Sequence, residues 1–442
     1  MCNGSIMDKL ISFALPLMLS GILQLMFNAV DLVVVGHFSG QEALAAVGST
    51  TALIAVFTNL FIGVSLGANV LAARFYAAGR EKEMSETVHT SIMLALISGV
   101  AMAIVGVIFA KGALLLMDTP DNVIDLSTLY MRIYFMGMPF FMLYNYGAAI
   151  LRAVGDTKRP LLFLIVSGVS NAILNMILVI VFHLGVAGVA IGTVMSQLMS
   201  CVLVLRCLCK TQSSYQLHFD RLAIKGDYVK LIFQVGIPAG IQSTVINFSN
   251  VLLQSSVNSF GATAMAGYTA ANNLLGFLYV SVNAVTQACM SFTSQNYGVG
   301  KYKRMDRVLL DCLGLTVVVA GALGLGVYLF GPQILRIYTS EADVISCGME
   351  ILSITTIPYF LCGIMDLFPG SLRGMGYSAV PMVLSVIGTV GTRILWIYGF
   401  FPHNRTLFFL FISYPGSWLI TIVMQVICYL YVRKRCVGVQ KV

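Results

Sequence analysis

Charge is scarce in this chain. Asp, Glu, Lys and Arg together make up 10% of its residues, against about 25% in soluble domains. A chain with 58% hydrophobic residues has too little polar surface to cover a soluble globule, and a bilayer is its natural solvent. Other devices are missing as well. The ten cysteines contain no Cys-x-x-Cys pair, and Cys207 and Cys209 are separated by a single residue. Most of the others lie in apolar stretches, so they read as small core residues with no disulfide or metal site implied. The five histidines show no metal-ligand spacing, and no cofactor is expected. Nor is there a phosphate-binding loop. Gly298-Val299-Gly300-Lys301 is followed by Tyr302, lacks the upstream glycine and belongs to no soluble domain, which argues against an ATP-driven pump. A membrane-embedded enzyme would need a catalytic cluster of paired His, Ser/Lys or carboxylates, and none is present. The chain reads as a transporter rather than an enzyme.

What is present is a series of twelve apolar segments, each long enough to cross about 30 Å of hydrocarbon as a helix. They run approximately over 10–35, 46–73, 88–110, 127–151, 161–183, 186–208, 229–257, 265–295, 307–330, 349–372, 380–401 and 406–432. The fold class expected is an all-α polytopic membrane protein. Residues 1–8 are too short and polar for a cleavable signal peptide, so the first segment is expected to stay as a span. Lys and Arg concentrate at one end of the spans. They are Lys9, Arg74, Arg80, Lys82, Arg152, Lys158, Arg159, Arg206, Lys210, Arg221, Lys225, Lys230, Lys301, Lys303, Arg304, Arg307, Arg373, Arg433, Lys434, Arg435 and Lys441. The opposite end holds Lys111, Arg132, Arg336 and Arg405, and Arg393 falls inside a span. The positive-inside rule then places both termini in the cytoplasm. The net charge of +8 reflects this topology, and nucleic-acid binding is the wrong inference from it.

A shift of 221 residues aligns the chain with itself. Tyr76, Gly79 and Met84 fall on Tyr297, Gly300 and Met305; Leu151, Arg152, Gly155 and Pro160 fall on Leu372, Arg373, Gly376 and Pro381. Pro16 meets Pro238 one residue off that register. Six helices per half make this a parallel repeat, for which a central cleft and alternating access are expected. The domains expected are a six-helix bundle over 1–209, a cytoplasmic linker over 210–228, a second bundle over 229–432 and a basic tail over 433–442. In the repeated Leu-Arg-x-x-Gly motif the Arg is read as snorkelling to headgroups, and Gly155 and Gly376 as left-handed C-caps.

The residues that could do work are the polar ones inside spans. Asp31 and Asp366 are the clear carboxylates, and a charge at the bilayer centre costs at least about 2.5–3.5 kcal/mol, so each is functional by default. Around Asp31, the candidates for ion or proton coupling are Asn28, Asn171, Asn175, Thr193 and Gln197. Asn171 and Asn175 share a helix face, as do Thr193 and Gln197. Asp366, Arg393 and Asn145, the repeat mate of Asp366, are assigned to a substrate cavity. Arg393, one helix on from Asp366, is its expected ion-pair partner. Pro16 and Pro139 are candidate hinges.

The order of these motifs resembles that of the MATE family, the multidrug and toxic compound extrusion exporters, in a bacterial branch. The resemblance rests on Pro16, Asn28-Ala29-Val30-Asp31, Val35-Gly36-His37, Ala43-Leu44-Ala45-Ala46-Val47-Gly48 and the run from Leu151 to Pro160. It continues through Leu174-Asn175-Met176-Ile177-Leu178, Gly185 to Ala190, the run from Leu372 to Pro381, Arg393-Ile394-Leu395-Trp396 and Tyr414-Pro415-Gly416-Ser417-Trp418. It implies a multi-pass exporter in the bacterial inner membrane, monomeric, moving cationic or amphipathic small molecules against H⁺ or Na⁺. Three departures stand out. Many members carry an Asp where this chain has Val179, a branch carries a Glu where it has Ile246, and that branch has an acid where it has Cys362. The loss at Val179 weakens a Na⁺ site and favours H⁺. A facilitator-superfamily transporter would carry an Asp-Arg pair after helix 2, where this chain reads Arg74-Phe75-Tyr76-Ala77-Ala78-Gly79-Arg80. A flippase of lipid-linked precursors shares the superfamily fold, but several intramembrane arginines would be expected and Arg393 is the one found.

Overall fold

The computed structural model describes residues 1–117 and 119–438, so the last four residues of the expected tail lie outside the described residues. The described chain is helical, as backbone in hydrocarbon must be. In order the helices are α1 Ile6–Phe38, α2 Gln41–Ala77, α3 Glu81–Leu116, α4 Asp121–Met136, α5 Met138–Ala153, α6 Lys158–Met176, α7 Gly185–Lys210, α8 Gly226–Asn258, α9 Ala262–Gly298 and α10 Tyr302–Leu329. They continue with α11 Gly331–Leu335, α12 Ala342–Thr355, α13 Tyr359–Gly374, α14 Ala379–Ser385, α15 Thr392–Leu395, α16 Leu407–Phe411 and α17 Ser413–Gly438. Among the described residues ten stretches are long and apolar enough to cross a membrane, and α12 with α13 forms an eleventh, bent by 49°.

Three of the twelve expected segments are therefore not single helices, and one of them, 406–432, is α16 and α17, parted at Ile412. Segment 127–151 is α4 and α5, separated at Gly137, and segment 349–372 is α12 and α13, separated over 356–358. Proline accounts for both breaks, because it lacks a backbone N–H and crowds the preceding turn. Pro139 sits in the first turn of α5, so it starts a helix rather than kinking one. Pro358 directly precedes α13. Gly99 of α3 meets the Pro139 backbone so closely that a side chain there would collide, which seats the break against a neighbour. Segments five and eleven are continuous but loosen locally. Ile177–Val181 follows α6 as a π turn, and Val386–Gly391 and Trp396–Phe400 flank α15 in the same way.

The repeat is visible in the backbone. Gly155 and Gly376 both take a positive φ, 100° and 95°, where a Cβ would be strained. In each case the next residue's N–H reaches back to the Leu five positions earlier, Asp156 to Leu151 at 2.9 Å and Tyr377 to Leu372 at 2.9 Å. That is the Schellman closure expected of the Leu-Arg-x-x-Gly motif. The positive-φ pairs Gly40 and Gly261, and Gly79 and Gly300, keep the same 221-residue register.

By contacts the chain divides into two compact units, a first made of Leu19–Gly240 and a second made of Met1–Met18 with Ile241–Val442. These bounds differ from those expected at the 210–228 linker. Both fall inside a helix, two residues after Pro16 in α1 and two after Pro238 in α8. The repeat follows the order of spans, whereas contacts follow packing, and each of these helices contributes its two ends to different units.

The linker itself is folded onto the first unit. The Leu217 side chain is buried, and the His218 N–H donates to His89 Nε2 at 3.1 Å. The Lys225 N–H reaches Thr90 Oγ1 at 3.4 Å, and Tyr228 donates to Glu86 at 2.8 Å. In the same unit α2 and α8 cross backbone to backbone. Gly63 and Gly67 face Ile232, Gly236 and Gly240 with no room for a Cβ on the glycines, the small-residue packing that lets membrane helices approach closely.

Candidate functional site

The first unit gathers polar side chains around Asp31. Asn175 of α6 donates Nδ2 to Asp31 Oδ1 at 2.6 Å. The same amide group lies 3.4 Å from Asn171 Oδ1, and Asn171 in turn donates to Thr193 Oγ1 at 3.5 Å. Thr193 of α7 donates to the Val189 carbonyl and also lies close enough to Asp31 to interact with it. Asn171 and Asn175 are buried, and Asp31 is half-buried. An N–H donated to the carboxylate offsets part of the cost of placing it in an apolar surround without a basic partner. Asn175 turns its donor group to the anion because its oxygen there would be repelled.

Two glycines make this geometry possible. A Cβ on Gly192 would collide with Asn175 Oδ1, and one on Gly168 would collide with the ring of Phe27. The first lets α7 admit the Asn175 amide; the second lets α1 lie against α6 one turn before Asp31. Neither was singled out from sequence, although Gly188 and Gly192 form a small-xxx-small pair that signals close helix approach. Tyr130 and Tyr134 of α4, also not anticipated, lie within electrostatic range of Asp31. Gln197 stands beside Tyr134, and its Oε1 is buried without a hydrogen-bond partner. Val179 is buried in the apolar core of this unit. Asn28 does not join the cluster. Its side chain is exposed, with no hydrogen bond to Asp31 among the described residues.

In the second unit the expected partners are exchanged. Asp366 and Arg393 form no ion pair; the basic group acting on Asp366 is Arg373, two turns along α13. Arg373 donates Nη2 to Gln242 Oε1 at 2.6 Å, and Tyr279 lies within range of both charges. The sequence placed Arg373 among the loop cations and read it, like Arg152, as snorkelling. Both instead lie in the last turn of a helix with their guanidinium groups desolvated, Arg373 towards Asp366 and Arg152 near Tyr144. The Leu-Arg-x-x-Gly spacing fixes where the helix ends, but not which way its Arg turns. Arg393 is 3% exposed, donates Nη1 to Asn250 Oδ1 at 2.9 Å, and stacks over the Tyr414 ring at 4.1 Å. Asn145 belongs to the first unit, where its Nδ2 donates to the Phe141 carbonyl at 2.8 Å.

Chemically, the Asp31 cluster can take up and release one small cation, a proton or an ion. Asp366 and Arg373 lie within electrostatic range of each other, so their charges offset in part.

The family model MatE matches residues 16–177 and again 238–398. The two matches start 222 residues apart, so the model sees each half as one copy. The chain is 28% identical over 433 residues to the probable multidrug resistance protein YoeA of Bacillus subtilis, covering 96% of this chain and 93% of that one. It is 25% identical over 402 residues to the probable multidrug resistance protein NorM of Thermotoga maritima, covering 88% and 84%. Among solved structures, a MATE protein in complex with MaL6 superposes with a TM-score of 0.91 at 21% identity, over 100% of this chain and 98% of the other. A multidrug resistance MATE family transporter of the MOP superfamily in an outward-facing conformation gives 0.89 at 21%, over 100% and 98%. With most of both halves matched by one model and the same helical fold in these structures, the chain belongs to the MatE family of membrane transporters.

Proposed function

We propose that this transporter exports cationic or amphipathic small molecules across the bacterial inner membrane, driven by counter-movement of H⁺ in preference to Na⁺. Both termini lie in the cytoplasm, the working unit is a monomer, and transport proceeds by alternating access. The observation that carries the reading is Asp31, a carboxylate within an apolar span held by Asn175 and with no basic group in its cluster. The family and the relatives named as multidrug resistance proteins support export of drugs.

The preference for H⁺ follows from what surrounds the carboxylate. Sodium is a hard cation that favours several oxygen ligands, whereas a proton needs one basic oxygen. Asn175 gives Asp31 an N–H rather than an oxygen, and Val179 gives nothing. Protonation removes the charge, releases the demand for the Asn175 bond and frees α1 to shift at Pro16. The test is efflux from proteoliposomes against an inward Na⁺ gradient, with pH equal on both sides and protonophore present. Little efflux is expected; robust Na⁺-dependent efflux would overturn the proton reading while leaving export intact.

A further inference from the structure

Among the described residues Arg393 is a buried cation with no ion pair. A guanidinium inside a span is costly unless a partner offsets its charge. Its contacts in this unit are all neutral: the Asn250 amide oxygen, the Tyr414 face and, within electrostatic range, Tyr268 and Cys362. Among the described residues its Nε has no hydrogen-bond partner. Arg373 also leaves its Nε unpartnered, but it has Asp366 to balance its charge. The helix bends the rules on either side of Arg393, with π turns at Val386–Gly391 and Trp396–Phe400. Such turns widen the backbone locally and occur often at functional sites.

We infer that Arg393 is an oxyanion-binding residue, taking a carboxylate of a transported compound or the phosphate of an anionic lipid. Asn250 occupies Nη1, which leaves the edge carrying Nε for the ligand. That edge matches a planar oxyanion, and charge-assisted bonds of this kind are the strong ones where water is excluded. Tyr414 holds the guanidinium plane from one face, so the fork is oriented before the anion arrives. The inference deepens the export reading by giving substrates an acidic group to be recognised, and it rests on that reading only where the oxyanion is a substrate's.

The chain carries its own reporter. Its two tryptophans both flank this site, Trp396 three residues along the helix and Trp418 edge-on to Tyr414 at 5.7 Å. The purified protein is titrated with benzoate and with neutral benzamide while tryptophan emission is followed. A saturable change is expected with benzoate and not with benzamide. Arg393→Gln should weaken it by about tenfold or more. Because that variant is liable to fold poorly, Cys362→Asp supplies a second arm. It leaves Arg393 in place but gives it an internal counter-ion, and it should weaken benzoate equally, while Cys362→Asn should not. In nanodiscs, benzoate binding that persists in phosphatidylcholine but vanishes in phosphatidylglycerol assigns the site to an anionic lipid headgroup; binding that persists in both assigns it to a soluble carboxylate. Equal responses to benzoate and benzamide, or unchanged benzoate affinity in both Arg393→Gln and Cys362→Asp, would overturn the inference. None of these readouts depends on efflux or on the coupling ion.

Discussion

At the scale of residues, the first unit is organised around the orientation of one amide. Asn175 reaches Asp31 because Gly192 leaves space for its Oδ1. Gly192→Ala should push the amide away, and efflux driven by a pH gradient is expected to fall by roughly ten- to a hundredfold, the effect of losing one hydrogen bond to a charged group of about 1.5–3 kcal/mol. Wild-type efflux in that variant would show that the contact is incidental. In the second unit, Asp366→Asn should weaken binding of organic cations more than of neutral analogues, since it removes the one carboxylate beside Arg373. If instead Asp366→Asn and Arg373→Gln both express poorly and the exchange Asp366→Arg with Arg373→Asp restores expression alone, the pair is structural. Sequence made Asp31, Asn171, Asn175 and Thr193 legible, because polar side chains in an apolar run need a reason to be there. It misplaced Arg373 and Asn28, because the face a side chain takes at a helix end, or near a bend, depends on neighbours that no single-chain periodicity names.

At the scale of elements, small residues and prolines set the geometry. The contact of Gly63 and Gly67 with Ile232, Gly236 and Gly240 brings α2 and α8 together without intervening side chains. Gly67→Val should cost about 1–3 kcal/mol, as overpacking does elsewhere, and is checked as a lowered thermal midpoint in detergent. An unchanged midpoint would mean that the helices can separate freely. The segment 210–228 was expected as a plain linker, because it is short and polar. Its bonds to His89, Thr90 and Glu86 tie it to α3. Thr90→Val combined with Glu86→Gln should speed tryptic cleavage at Arg221 and Lys225 several-fold; cleavage at the wild-type rate would show that the apolar anchor Leu217 suffices. The breaks before Pro139 and at Pro358 escaped a reading by hydropathy, since an apolar run looks the same whether it is continuous or broken.

At the scale of the whole molecule, the repeat was the most legible feature. A fixed offset between distant residues survives any local error, and it reappears in the paired left-handed glycines and in the two family-model matches. What the repeat did not contain is the difference between the halves. Among the described residues, one unit holds a carboxylate with neutral partners, and the other holds a guanidinium with neutral partners as well as Asp366 and Arg373, which act on each other electrostatically. Such asymmetry suits a machine that couples an ion in one bundle and recognises cargo in the other. The most direct test is efflux of a fluorescent organic cation from proteoliposomes containing wild type or Asp31→Asn, driven by an imposed pH gradient, with matched protein incorporation. The account expects gradient-driven efflux by wild type and its loss in Asp31→Asn, with the cation still bound; undiminished pH-driven efflux by Asp31→Asn would contradict it.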